Sequence, residues 1–301
     1  MKILITGHRG FVGKHFVKKL EKEDHVITGL DIKDPNSPTD CRDFFKYNDE
    51  VFDLVIHLAA IVGGRATIEG EPLSVATDLS IDAEMFNWAV KTKQKKIVYF
   101  SSSAAYPIRL QTKTKHVQLR ESDIDLSDIS NPDLTYGWAK LTGEYLANFV
   151  KQTGTKVYIF RPFSGYGELQ DLNYPFPSFI KRVVDRNDPF VIWGDGTQVR
   201  DFIHMDDICD AVMEAVSKDL PTPINLGTGI PTSFNELAEL MFDIEGWKPK
   251  EIVHEANKPS GVMYRCCDPT EFVKLYRPKI TLHDGIRRSL EHYKQNKGSI
   301  K

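Results

Sequence analysis

The sequence predicts an α/β fold: a doubly wound parallel sheet over residues 1–165 and a smaller, irregular lobe built mainly from 166–301, with later segments free to return to the sheet. Three observations carry this. Short apolar runs alternate with longer amphipathic stretches through the first half, the pattern of a parallel sheet covered by helices on both faces. A glycine trio follows the first run immediately. After Pro162 the alternation breaks into pieces punctuated by proline and glycine, such as "YPFPSFIKRVV" and "WGDGTQVRDFIH". At 301 residues and 41% hydrophobic content, the chain can bury cores for two lobes that share a cleft.

The first half reads, in order, as strand "KILIT" (2–6), a helix from Val12 to Lys22, strands "HVITGL" (25–30) and "DLVIHLAA" (53–60), a helix from Asp82 to Thr92, and strands "KIVYFSS" (96–102) and "KVYIFRP" (156–162). The helices rest on apolar residues at intervals of three and four. Pro107 to Thr135 shows little periodicity, and so long a connection is expected to frame a site.

Gly7, Gly10 and Gly13 in "TGHRGFVG" lie between the first strand and the first helix, the context of a dinucleotide fingerprint and hence of a Rossmann-type sheet. Glycine permits the tight turn and lets the backbone approach a pyrophosphate, and the N–H groups at the helix start favour its negative charge. Arg9, Phe11 and Val12 join the three glycines as candidate cofactor contacts. The second strand ends at Asp31, where an acidic side chain holds the adenosine ribose hydroxyls and repels a 2′-phosphate, so NAD is favoured. Arg9 and Lys33 could each meet such a phosphate, which leaves NADP open.

Net charge is −3 with both signs interspersed, so neither nucleic acid nor a membrane surface is an expected partner. Cys41, Cys209, Cys266 and Cys267 suit neither a disulfide framework nor a metal site, and they read as reduced thiols of a cytoplasmic protein. No leader peptide or long apolar run points to export or membrane insertion.

Two tyrosines stand four residues ahead of a lysine: Tyr136/Lys140 in "TYGWAK" and Tyr293/Lys297 near the C-terminus. On a helix this spacing puts phenol and ammonium on one face. A free phenol titrates near about pH 10, and bringing it to neutrality requires roughly 4 kcal/mol in favour of the phenolate. A neighbouring ammonium and an oxidised nicotinamide have the sign to supply it. Such a phenolate accepts a proton from a sugar hydroxyl as hydride departs. Tyr136/Lys140 follows "KIVYFSS", whose serines lie at the strand end where open parallel sheets bind ligands. Tyr293/Lys297 lies in a polar tail and reads as solvated.

"TGHRGFVG", "DLVIHLAA", "YFSSSAAYP", "YGWAK", "RPFSGYG" and "VRDFIHMDD", in this order and at about these intervals, resemble the extended short-chain dehydrogenase/reductase family, in particular its nucleotide-sugar epimerase/dehydratase branch, over nearly the whole chain. The resemblance implies a nicotinamide cofactor in the first lobe, a nucleoside-diphosphate sugar between the lobes, and a homodimer through two helices of each subunit. It implies adenine contacts from Asp40 and Cys41, a floor under pyrophosphate and ribose from Leu58, Ala59 and Ala60, and a place for Lys140 on the nicotinamide ribose as well as beside Tyr136. The family's hydroxyl residue stands four places before the tyrosine of "YP", which is Ser102 here.

Dehydratases of the branch follow that hydroxyl with an acid pair; this chain has Ser103, Ala104 and Ala105, so loss of water is not expected. "GHRGFVG" and "IVGG" (61–64) also resemble GDP-fucose synthase, a 3,5-epimerase/4-reductase. The cysteine that enzyme places two residues after the serine is Ala104 here, and no histidine falls between His116 and His204. The expected reaction is NAD-dependent epimerisation at C4 through a transient 4-ketone, carried by Ser102, Tyr136 and Lys140. NAD(P)H-dependent reduction of a 4-keto-sugar is the alternative, and a non-catalytic dinucleotide sensor a third reading. For the substrate the resemblance implies phosphate contacts from Arg200, Lys258 and Arg265, with Ser103 near the sugar and Ser164 where many relatives carry an asparagine. Asn225 reads as structural, and Phe176 and Trp193 as core or pocket lining.

Overall fold

The computed structural model describes residues 1–63, 65–220 and 222–296. Six parallel strands lie in the order Ile224–Leu226, Lys156–Pro162, Lys96–Phe100, Leu54–His57, Lys2–Thr6 and Val26–Leu30. Chain order reverses between Lys2–Thr6 and Leu54–His57, which opens a crevice beyond their carboxyl ends. Because side chains alternate along a strand, each apolar run feeds two cores. Ile3, Ile5, Ile56, Val98 and Phe160 face the Phe11–Leu20 and Met205–Lys218 helices. Leu4, Val55, Ile97, Tyr99 and Ile159 face the other way, under Cys41–Tyr47, Thr77–Thr92 and Leu134–Gln152. Residues 205–226 thus return to the first sheet. The run "DLVIHLAA" stays a strand only to His57, since the N–H groups of Leu58 and Ala59 turn onto the Thr6 hydroxyl at 3.1 Å each.

Residues 107–133 carry only short turns and the strand Gln118–Leu119, which pairs with Cys266 and Cys267 of the second lobe. That lobe closes around Phe176, Phe179, Phe190, Phe234 and Phe242, with the helices Pro175–Val184, Phe234–Glu245 and Leu282–Asn296. Tyr293 lies in this core, 5% exposed, which corrects its reading as a solvated residue. The terminal helix is polar overall, yet Ile286, Leu290 and Tyr293 form one apolar stripe on it. Lys297 lies outside the described residues. Among the described residues no helix is long and apolar enough to cross a membrane.

Two contacts seat the Leu134–Gln152 helix. Gly137 lets it touch the Ser103–Ala105 turn, where an added Cβ would stand 2.4 Å from the Ala104 carbonyl oxygen. Nearer its middle, Glu144 receives Arg161 Nε at 2.9 Å and Nη2 at 2.7 Å, both residues being buried. Arg161 also donates to the Tyr106 hydroxyl at 3.0 Å, and Tyr106 donates to Asn225 Oδ1 at 2.6 Å. Stranding one charge of a buried pair costs about 3–5 kcal/mol. Arg161→Leu is therefore expected to lower the free energy of unfolding by that amount in urea; a loss below about 1 kcal/mol would show the pair to be no stronger than a surface ion pair.

Candidate active site

Three glycines shape the crevice, in two different ways. Gly7 has φ +70°, and an added Cβ would meet Ala59 N at 2.9 Å; at Gly13 it would meet Gly7 O at 2.2 Å. Those two pack protein against protein. At Gly10 the only neighbour is Gly7 O at 3.2 Å, so its outer side is open. Gly10 caps the Phe11–Leu20 helix without a side chain, which leaves the first-turn N–H groups of Phe11, Val12 and Gly13 to an anion. This cradle fits a dinucleotide pyrophosphate, with Leu58, Ala59 and Ala60 continuing from the strand beneath it.

Asp31 closes the crevice at the next strand, its carboxylate accepting from Arg9 N at 2.9 Å and Lys33 N at 2.8 Å. The Arg9 guanidinium is engaged by Asp34 at 3.3 Å, and His8 Nε2 lies 3.0 Å from the same carboxylate. Two carboxylates around one committed arginine make a poor setting for a 2′-phosphate. Asp40 caps the Cys41–Tyr47 helix and binds Arg42 Nη2 at 2.6 Å. The Cys41 thiol lies in the apolar cluster with Phe45 and Trp88, where burial pushes it up to about 12, so an adenine contact from this residue falls to its backbone.

Tyr136 and Lys140 ride the start of the Leu134–Gln152 helix, and Ser102 lies just past the strand Lys96–Phe100, where it caps the Ser103–Ala105 turn. Ser102 Oγ accepts from Ala104 N at 3.0 Å and lies close enough to the Tyr136 phenol to favour the phenolate. Lys140 Nζ is 6.0 Å from the Tyr136 ring centroid and 5.3 Å from that of Tyr99, and the residue is buried. Two residues that pattern reading missed stand next to it. Asp82 accepts from Tyr99 Oη at 2.5 Å and faces His57 Nε2 at 3.2 Å; Asp78 accepts from Ile61 N at 2.5 Å. The available signal was two carboxylates one turn apart on a helix whose buried stripe also holds Ile81 and Met85.

Burial alone would depress Lys140, but Asp82, Tyr136 and Asp78 hold it above the ordinary lysine value. Burial raises the Tyr136 phenol, Lys140 and Ser102 lower it, and Asp78 and Asp82 raise it again; the balance lies above a free phenol. The sequence predicts an ammonium and an oxidised nicotinamide acting together, and Lys140 by itself does not bring the phenol below its ordinary value.

Across the crevice Arg265 and Arg65 pair with Asp133, and Arg200 lies near enough to feel the charge of all three. Arg65 Nη1 reaches both carboxylate oxygens of Asp133 at 2.8 and 2.9 Å, and Arg265 Nη2 reaches one at 2.7 Å. Arg65, not foreseen from the sequence, also pairs with Glu69 at the outer edge. Arg200 donates to the carbonyls of Val199 and Val262 at 2.8 Å each; burial, then Arg265 and Arg65, depress it to about 9 against the pull of Asp133. The cluster is net positive and anion-seeking. Lys258 stands apart from it, exposed, with Nζ 5.6 Å from the Trp193 ring centroid. Ser103 is buried in its turn, and Ser164 begins the short strand Ser164–Tyr166 that pairs with Phe202–His204. Tyr174, also not foreseen, comes from the second lobe close enough to Tyr136 to feel its charge.

Comparison with known proteins follows the same lines. The chain is 28% identical over 98% of its length to a putative GDP-L-fucose synthase 2 of Arabidopsis thaliana, covering 92% of that protein. It is 29% identical over 95% of its length to GDP-mannose 3,5-epimerase 1 of Oryza sativa subsp. indica, covering 80% of it. The structure superimposes on UDP-glucose 4-epimerase of Thermotoga maritima, solved with UDP-glucose, with a TM-score of 0.79 and 25% identity, over 98% of this chain and 99% of that one. Residues 3–227, which span the glycine cradle, Ser102, Tyr136, Lys140 and Arg200, match the family described as NAD dependent epimerase/dehydratase, and the chain is an enzyme belonging to that family.

Proposed function

We propose that this chain is an NAD-dependent epimerase of a nucleoside-diphosphate sugar that acts at C4 through a transient 4-ketone. The observation carrying the reading is the meeting of Ser102, Tyr136 and Lys140 at the strand ends, between an open glycine cradle and a net positive arginine cluster. NAD supplies the hydride acceptor and donor when bound. Tyr136 takes the proton from the sugar hydroxyl and returns it on reduction of the opposite face, Lys140 favours the phenolate, and Ser102 hydrogen-bonds the reacting oxygen. The positive charge of an oxidised nicotinamide has the sign to offset Asp78 and Asp82. Ala104 and Ala105 offer no acid to expel a hydroxyl. Arg65, Arg200 and Arg265 suit a diphosphate, because a guanidinium donates in pairs. The reading includes a cytoplasmic homodimer through the Thr77–Thr92 and Leu134–Gln152 helices, on which Leu79, Val90, Trp138, Tyr145 and Phe149 remain exposed.

A second reading, reduction of a 4-keto-sugar by NAD(P)H, is favoured by the likeness to GDP-L-fucose synthase. Denaturing the purified protein separates the two: stoichiometric release of NAD from a protein that interconverts sugar epimers without added cofactor supports epimerisation, while absolute dependence on NADPH selects the reductase. Tyr136→Phe is expected to lower kcat by about 10²–10⁴-fold with NAD binding close to wild type, whereas Lys140→Ala should damage both; retained turnover in Tyr136→Phe contradicts the assignment. Arg65→Ala is expected to raise KM for the nucleotide sugar by about tenfold or more while kcat is largely kept, and an unchanged KM would remove Arg65 from the binding site.

A further inference from the structure

We propose that Asp78 is a positioning residue whose buried charge sets how readily the Tyr136 phenol yields its proton. The inference rests on the reading of Tyr136 as the proton-transferring group. Asp78 is 0% exposed. Its Oδ1 accepts from Ile61 N, while its Oδ2 is buried and has no hydrogen-bond partner. A neutral amide oxygen would serve Ile61 equally well, so that bond does not account for a charged side chain here.

Lys140 acts on this carboxylate from the Leu134–Gln152 helix and Asp82 from one turn along its own, and the carboxylate in turn acts on Tyr136. His57 and Tyr99, both from the sheet, are spent on Asp82. Asp82 is enough to balance the single ammonium, which leaves Asp78 as one negative charge in excess, in a place shielded from water. Such an excess is felt by both neighbours. Burial, with a smaller push from Asp82, raises Asp78 to about 6 against the pull of Lys140. Ionised Asp78 in turn raises the phenol. The sign is therefore fixed: a charged Asp78 opposes the phenolate, and a neutral one leaves the influence of Lys140 undiminished.

Ultraviolet difference titration of the NAD-saturated protein reads the phenolate without any sugar. The component missing from Tyr136→Phe belongs to Tyr136. In Asp78→Asn that component is expected about half a unit to two units lower in pH than in wild type, and the acidic limb of kcat/KM should move with it. Asp78→Ser, which keeps an oxygen for the Ile61 N–H, should do the same. A component that does not move in either folded variant overturns the proposal, because a purely structural Asp78 would leave the titration untouched. Should neither variant fold, infrared difference spectra of the wild type decide: a protonated-carboxyl band growing as the pH falls through about 6, in step with a change in the phenol, supports the coupling, and its absence sinks it. A Tyr136→Phe protein that retains every phenolate component strikes the assignment of Tyr136 itself instead.

Discussion

The ammonium of Lys140 is held out of water at the carboxyl end of a parallel sheet, and the neighbouring residues are arranged around the cost of keeping it there. An unpaired ammonium in such a place costs several kcal/mol. Asp82 offsets that cost, held in turn by Tyr99 and His57 from two adjacent strands. Gly143 makes the arrangement possible, since a Cβ at that position would collide with the Tyr99 hydroxyl at 1.8 Å. The helix therefore lies close enough to the sheet for a lysine on one to share charge with an aspartate covering the other.

The same helix carries a second electrostatic tie at its start. Asp133, the residue before Leu134, is gripped by Arg65 from the start of the short Arg65–Gly70 helix and by Arg265 from the other lobe. Leu134 then adopts φ +55°, a left-handed conformation that a β-carbon disfavours by about 1–2 kcal/mol. Tyr136 follows two residues later. An anion that recruits Arg65 and Arg265 would draw on the groups that hold the beginning of the Tyr136 helix, so the arginine cluster and Tyr136 share one support. Arg161 and Glu144 fix the helix farther along.

What could be read in advance had local causes. The sheet strands showed as continuous apolar runs because both of their faces are covered, and the glycine loop showed because its turn and helix start lie within one short stretch. Tyr136 and Lys140 were legible because helical geometry alone places them together. The errors have a common origin too. Asp78 and Asp82 look like solvated helix residues until the opposing helix buries them. Arg65 follows a loop, and nothing nearby in the chain announces Asp133, 68 residues away. Cys41 sits in a polar string, yet its side chain turns into the core; Tyr293 sits in a polar helix whose few apolar positions all fall on one side.

The sequence by itself determined the alternation of strands and helices, the pyrophosphate-sized turn and the pairing of phenol with ammonium, because each depends on residues within a turn or two of one another. Only the tertiary structure decided the charge balance. It brings two carboxylates to Lys140 and two guanidiniums to Asp133 from segments far apart in the chain, and burial makes those encounters strong. Whether a tyrosine is acidic depends on the total field at its oxygen, and that sum runs over neighbours in space.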